Sequence, residues 1–384
     1  MSKPIRVGLI GLSSNPNIQL AGAWAKNAHL PYLLKTPDYT ITALCNSSVE
    51  SAAKAIALYG LDASKVRAYG DPDSLAQDDN VDMVVCSVNV AQHYRLVKPA
   101  LLAGKMAFCE WPLAGTLEQM EELAALAEQK NVRTIVGLQG RNGVFTHAMK
   151  KFIGNGPSQL GDVLSTSMVG YSFFWGMAAP QDVAYLIDIK SGGNMLTIRA
   201  IHILDTLTAT LGEIESQHTL LKNKRPTVAL IDNTFNVIDP AYPNTTPDHV
   251  FIHGVLAGDI PFDFQVRGGV QFKDTPAFDW RIYCTRGEIR MVGNEMLWTS
   301  GDITVQAYDF VTKQVEDVDL GQLLRCEEDL KGDVALQLGL EAPAENVARL
   351  YDAFSQGQTH KYLDFKQSLK WARLIQEAYT ANGF

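Results

Sequence analysis

The chain has 384 residues, 46% apolar and 20% charged, enough to bury the cores of two ordinary domains and too apolar for a disordered chain. With 33 basic against 42 acidic side chains the net charge is −9, the wrong sign for a broad nucleic-acid or anionic-membrane surface.

Residues 5–12 form an apolar run with two glycines, the pattern of a buried parallel strand. A helix over 19–34, a strand over 39–45 and an Ala-rich helix over 51–59 follow. The alternation continues with a strand at 82–87, a helix at 93–103, a strand at 106–110, a helix at 117–130 and a strand at 134–138, which implies a parallel, doubly wound sheet. From about 160 the stretches become longer, β-branched and aromatic, at 162–170, 217–230, 250–255, 263–267, 279–285, 288–292 and 303–308. Turn signals rather than helices join them, which points to an antiparallel sheet. One amphipathic helix near 193–211 interrupts this pattern, and helices over 343–354 and 368–381 close the chain and pack back on a domain face. The expected fold is α/β plus α+β: a doubly wound parallel sheet over 1–142, then a mostly antiparallel sheet domain over 143–384.

Five cysteines, Cys45, Cys86, Cys109, Cys284 and Cys326, form no CxxC and no Cys/His cluster with zinc spacing, so buried free thiols in a reducing compartment are expected, with no metal. The N-terminal residues run through a short basic patch into the first strand without the apolar core and cleavage site of a signal peptide. No run of about twenty apolar residues is present, so the expected location is the cytoplasm.

The first strand ends in Gly8-Leu9-Ile10-Gly11-Leu12-Ser13-Ser14, without the further glycines of a full G-x-G-x-x-G. In that motif the glycines let the backbone approach a pyrophosphate held by amides at the next helix N-terminus, and Ser13 and Ser14 still offer amides and hydroxyls. Tight strand packing is the other use of Gly8 and Gly11. The second strand ends in Cys45-Asn46-Ser47-Ser48, with no carboxylate for a ribose and no arginine directly after it. Asn46 and Ser47 can donate to a hydroxyl or to a 2'-phosphate, so NAD and NADP both fit.

Ser87-Val88-Asn89-Val90 ahead of His93, and Glu110-Trp111-Pro112 after a strand, resemble the glucose-fructose oxidoreductase, inositol dehydrogenase and MocA (Gfo/Idh/MocA) family across nearly the whole chain. Gly11-Leu12-Ser13, Trp24 within 21–31, Glu110-Trp111, Leu138-Gln139-Gly140-Arg141 and Pro247-Asp248-His249 are similar to its fungal galactose-pathway repressor branch. The resemblance implies a Rossmann domain followed by an open sheet carrying the substrate face. It implies cofactor contacts at Gly11, Leu12, Ser13, Ser14, Trp24, Asn46, Ser47, Ser87, Val88, Asn89, His93, Glu110, Trp111, Pro112 and Arg141.

Two departures stand out. The family's enzymes carry Glu-Lys-Pro, with a lysine that helps position nicotinamide and substrate; here Trp111 replaces it, as a stacking wall for nicotinamide or as plain packing. The family's Asp and His, four residues apart on a helix, become Ile198 and His202. His202 can still exchange a proton with a carbinol or carbonyl oxygen, or it is a satisfied core histidine. Lys190 would restore the missing cation, with Tyr185 and Asp188 as substrate contacts on the loop that the resemblance places at the cleft; a surface lysine and a turn aspartate are the plain alternatives. For Arg141 the alternative is a structural salt bridge, and Asp248 and His249 are read as a turn entering a strand.

The implied activity is NAD(P)-dependent hydride transfer to or from a carbonyl, imine or carbinol carbon of a sugar-like or secondary-metabolite substrate, with Lys190 and His202 handling the proton. The alternative is a non-catalytic, dinucleotide-binding transcriptional co-regulator of the repressor kind. Expected partners are a small-molecule substrate and further copies of the chain, as a homodimer or higher homo-oligomer through the sheet domain, with no direct nucleic acid and no membrane.

Overall fold

The computed structural model describes residues 3–17, 20–154, 160–294, 303–319 and 332–384; Cys326 and the start of the helix expected at 19 lie outside the described residues. Chain contacts divide it into two units. The first comprises Met1–Gln139, Lys190–Gly193 and Asp333–Leu374, the second Gly140–Ile189, Asn194–Gly332 and Ile375–Phe384.

In the first unit, β1 (Ile5–Ile10), β2 (Tyr39–Cys45), β3 (Arg67–Tyr69), β4 (Met83–Cys86), β5 (Met106–Glu110) and β6 (Thr134–Gly137) pair in parallel in the order β3-β2-β1-β4-β5-β6. Every residue of β4 and β6 is buried, as expected of strands covered on both faces. β2 and β5 have the bounds that their apolar runs predict. β3 and the helix Pro72–Ala76 go unannounced in the sequence, because three and five residues are too few to display a period. Ser48 and Thr116 cap the helices Val49–Leu58 and Leu117–Gln129, each accepting from a backbone N–H three residues on. From the C-terminal part, the helix Ala344–Ser355 contributes Leu350, Tyr351 and Phe354 to the core formed by Val7, Leu9 and Phe108.

The expected helix at 19–34 is a broken one: a 3-10 turn (Leu20–Ala23), a π-helical turn (Ala25–His29) and an α-helix (Leu30–Lys35) that has Pro31 in its first turn. Proline is tolerated there because that N–H has no helical partner to lose.

In the second unit, eight strands form a mixed, mostly antiparallel sheet: β7 (Val163–Ser172), β9 (Ile214–Lys222), β12 (His249–Leu256), β13 (Ile260–Gly268), β14 (Phe278–Cys284), β15 (Gly287–Gly293), β16 (Ile303–Asp309) and β17 (Val315–Asp317). The order is β17-β16-β15-β14-β7-β13-β12-β9, with β7 and β13 parallel. β14 shows the alternation that one covered face imposes: Phe278, Trp280 and Ile282 are buried, while Asp279, Arg281 and Tyr283 face outward. A small sheet holds β8 (Ala178–Pro180), β10 (Thr227–Ile231) and β11 (Val237–Pro243). The single strand expected at 217–230 is therefore two, in different sheets. Asn223 makes the break: its Nδ2 donates to the Asn244 carbonyl and its Oδ1 accepts from Arg225 N, and Pro226 has no N–H to continue a ladder.

The helix expected near 193–211 begins as a π turn (Met195–Ala200) and continues as an α-helix (Ile201–Leu211). Its start is fixed by a capping box between Asn194 and Thr197. Among the described residues no helix is long and apolar enough to cross a membrane, and Cys45, Cys86, Cys109 and Cys284 are buried free thiols.

Candidate functional site

The carboxyl ends of β1, β2 and β4 are stitched together by main-chain bonds. Gly11 N donates to Cys45 O at 3.2 Å, and Ser87 N donates to Ile10 O at 3.1 Å. Gly11 has φ +98°, and a Cβ there would run into the Ser87 carbonyl and lie 2.6 Å from Val88 Cγ1. Only glycine meets both conditions. Gly8 has the other role left open by the sequence: a Cβ on it would meet Leu75 Cδ1 at 2.8 Å, so it serves strand and helix packing.

Around this turn, polar groups divide into occupied and unoccupied. Asn46 Nδ2 donates to Leu12 O at 2.9 Å, Ser13 Oγ accepts from Asn15 N, and Ser14 Oγ pairs with Ser51 Oγ at 3.1 Å. Leu12 itself is a core side chain, so its main chain alone faces the turn. Ser47 and Asn89 are exposed and Val88 is half-buried. By contrast, the hydroxyl of Ser87, a residue only 7% exposed, has no hydrogen-bond partner among the described residues, and neither has Trp24 Nε1. Buried donors of this kind normally find a partner. After the turn the described helical path begins as a 3-10 turn (Leu20–Ala23) and runs through the π turn into the α-helix from Leu30, so it is a broken helix and not a single regular one that follows β1. Main-chain amides and Ser87 remain as the anion-side and hydroxyl-side donors, and both fit a dinucleotide.

β5 ends in Glu110, followed by a cis Trp111-Pro112 bond. Trp111 is buried, at 4% exposure, so its indole is packed by the chain. Glu110 faces inward: its Oε1 lies 2.8 Å from Nε2 of the fully buried His29, whose Nδ1 lies 2.8 Å from Tyr351 Oη. Gly137 leaves room for this carboxylate, since a Cβ on it would come within 2.7 Å of Glu110 Cδ. His93 is also structural: Nδ1 lies 2.7 Å from the Pro112 carbonyl and Nε2 3.1 Å from the Val88 carbonyl, so the neutral ring, which burial favours by pushing its pKa down, donates to one of the two.

Cys86, His93 and Cys109 bring donor atoms within 4.8 Å of one another. Both His93 nitrogens already face carbonyls, and burial pushes the Cys109 thiol well up, away from the thiolate that a metal ligand needs to be.

Lys190 belongs to the first unit, in a segment packed on Gly115: a Cβ on Gly192 would meet Gly115 Cα at 2.5 Å. Its side chain is exposed. Tyr185, Asp188, His202 and Arg141 belong to the second unit. Asp188 is exposed, Tyr185 is half-buried with its phenol pushed up by burial, and His202 is half-buried in the first turn of the helix Ile201–Leu211. Arg141 is occupied as the salt-bridge alternative describes: Nε and a terminal nitrogen grip both oxygens of Asp205 at 2.9 and 2.6 Å, with Asp205 1% exposed. Asp248, also buried, accepts from Lys224 N and pairs with His249 Nδ1 at 2.7 Å, holding a loop.

Sequence reasoning missed Asp205, His29 and Tyr351. Asp205 carried a signal, an acid inside the apolar run of a helix, which requires a buried cation. His29 and Tyr351 carried none, because they meet across 322 positions.

Residues 5–138 match the oxidoreductase family with the NAD-binding Rossmann fold, and residues 146–293 match the Gal80p C-terminal domain. The chain is 30% identical over 302 residues to the galactose/lactose metabolism regulatory protein GAL80 of Saccharomyces cerevisiae, covering 76% of this chain and 67% of that protein. It is 32% identical over 305 residues to the dehydrogenase aclE of Aspergillus oryzae, covering 77% of this chain and 79% of that protein. The crystal structure of a super-repressor mutant of Gal80p from Saccharomyces cerevisiae superposes with a TM-score of 0.83 at 26% identity, over 99% of this chain and 96% of that one. With these relatives and this order of domains, the chain belongs to the Gfo/Idh/MocA family of NAD-binding Rossmann oxidoreductases, in the branch with a Gal80p-like second domain.

Proposed function

We propose that this protein is a pyridine-nucleotide-dependent oxidoreductase acting on a carbonyl, imine or carbinol carbon of a small sugar-like or secondary-metabolite substrate. The observation that carries the reading is the Gly11 turn beside the unpartnered Ser87 hydroxyl. When bound, the dinucleotide supplies or accepts the hydride. The chain's own part begins with Gly11, whose turn lets the backbone come close, with the amides of residues 12–14, which receive the pyrophosphate, and with the Ser87 hydroxyl, which has no partner to give up among the described residues. Trp24, Ser47, Val88, Asn89, Trp111 and Pro112 complete the walls, while Asn46, His93, Glu110 and Arg141, already bonded within the chain, act as scaffold. Asn46 is engaged with the Leu12 carbonyl and Glu50, after β2, is paired with Lys54, so both NAD(H) and NADP(H) are carried as the cofactor. Lys190 and His202 hold or move the proton at the substrate oxygen, and Tyr185 and Asp188 orient the substrate.

A second reading, a dinucleotide-binding regulator without turnover, is favoured by Trp111 in place of lysine and Ile198 in place of aspartate. Tryptophan quenching with NADH and NADPH, followed by a panel of carbonyl, imine and sugar substrates, separates them. Turnover with any class supports the enzyme; saturable binding with none across the panel supports the regulator. We further place the protein in the cytoplasm as a homodimer or higher oligomer through the outward face of the large sheet, which sedimentation tests.

A further inference from the structure

Buried polar side chains are stable only when their bonds are complete. In the first unit Tyr351, His29 and Glu110 form a row of such groups, with His29 and Tyr351 fully buried and Glu110 8% exposed. The direction of its hydrogen bonds follows from the carboxylate end. A carboxylate oxygen only accepts, so Glu110 Oε1 takes the bond from His29 Nε2–H, and Nδ1 of the neutral ring is left to accept from the Tyr351 hydroxyl 2.8 Å away. The Tyr351 main chain is fixed in turn, because its carbonyl accepts from Tyr39 Oη at 2.7 Å. The ring is held edge-on to Phe108 at 5.1 Å, and the π turn that ends at His29 aims it into the core.

We propose that His29 is a positioning residue: the ordered chain from Tyr351 through His29 clamps the Glu110 carboxylate from the core side and so holds the Trp111-Pro112 turn in the form that receives the dinucleotide. This rests on the dinucleotide reading above. His29 is not part of the cofactor wall, and its effect passes through Glu110. Gly137 belongs to the same device, since it provides the space in which the clamped carboxylate lies.

The test has two arms. In the first, 15N-histidine NMR of the cofactor-free protein reads the tautomer. The expected signal for His29 is Nε2–H with an unprotonated Nδ1, and Tyr351→Phe, a mild change that keeps the ring, weakens this preference. An Nδ1–H or doubly protonated His29 overturns the proposal, whatever NADH does. In the second, NADH affinity is measured on folded protein. His29→Leu leaves a buried carboxylate without its donor and lowers affinity about tenfold, and His29→Gln, which can donate to Glu110 and accept from Tyr351, restores most of it. Equal affinity in all three proteins overturns the proposal. If His29→Leu does not fold, Tyr351→Phe takes its place with a smaller loss of the same sign. A wild-type protein that binds no NADH defeats the dinucleotide reading and the positioning role with it, while the first arm still reports whether the bond order exists.

Discussion

At the carboxyl ends of β1 and β4 the buried Ser87 hydroxyl has no partner among the described residues, whereas in the helix Ile201–Leu211 the buried Asp205 carboxylate is gripped at both oxygens by Arg141. Ser87 and Arg141 look alike in the sequence, as polar residues that the resemblance marks for the cofactor. The difference lies in whether the fold already completes their bonds. A completed pair stabilises its unit; an incomplete donor is available to a ligand. Asn46, His93, Glu110 and Arg141 are bonded within the chain, which is why the proposed function gives them a scaffold role and gives Ser87 the ligand's hydrogen bond.

The contrast can be broken most severely at Asp205. Asp205→Ala leaves the Arg141 guanidinium without its carboxylate and destabilises the protein by about 3–5 kcal/mol in urea titration. A change under about 1 kcal/mol would mean that the pair is not a completed structural bond. His202→Ala comes next. It lowers turnover by about a hundredfold with cofactor affinity near that of wild type, and Lys190→Ala lowers turnover in the same direction. Unchanged rates in both variants would return these residues to the core and the surface.

Gly11→Ala is smaller in energy and more local. Left-handed backbone and the Ser87 carbonyl oppose the new methyl group, costing about 1–3 kcal/mol, and NADH affinity falls with it. Gly8→Ala, where flexible Leu75 atoms are the neighbours, retains NADH affinity. If Gly8→Ala weakened NADH binding more than Gly11→Ala, the assignment of roles to the two glycines would be reversed.

The smallest effect is in acid. Arg6 grips Asp82 through Nε and a terminal nitrogen, at 2.8 and 2.6 Å, and this hydrogen-bonded pairing holds the Asp82 carboxyl below the usual aspartate range. A depressed folded pKa means stability fully present above the ordinary value of about 3.9 and lost as pH falls through the lower folded value. The pair is about one-third exposed, so screening limits the loss to under about 1 kcal/mol. Arg6→Ala should flatten that part of the acid-unfolding curve; an unchanged curve between wild type and variant removes the contribution.

Strands buried on both faces were legible because apolar runs of five to seven residues show in sequence, as β2 and β5 did. The division of 217–230 was marked by the polar Lys222-Asn223-Lys224-Arg225-Pro226 between Leu220-Leu221 and Val228 through Ile231, but which sheet each half joins depends on distant partners, β12 for one and β8 and β11 for the other. The helix before β2 kept its apolar character but hid its π turn, which has no compositional mark. In the site, the glycine turn and the Glu110-Trp111-Pro112 segment were legible as local strings. What their side chains touch was not: Tyr351 reaches His29, and Asp205 reaches Arg141, only after distant segments meet.

Calorimetric titration of the wild-type protein with NADH bears most directly on the Gly11 turn and the Ser87 hydroxyl as a built dinucleotide site. The expected result is saturable heat with a dissociation constant well below about 1 mM, weakened by Gly11→Ala. Absence of binding by NAD, NADH, NADP and NADPH up to about that concentration would contradict it.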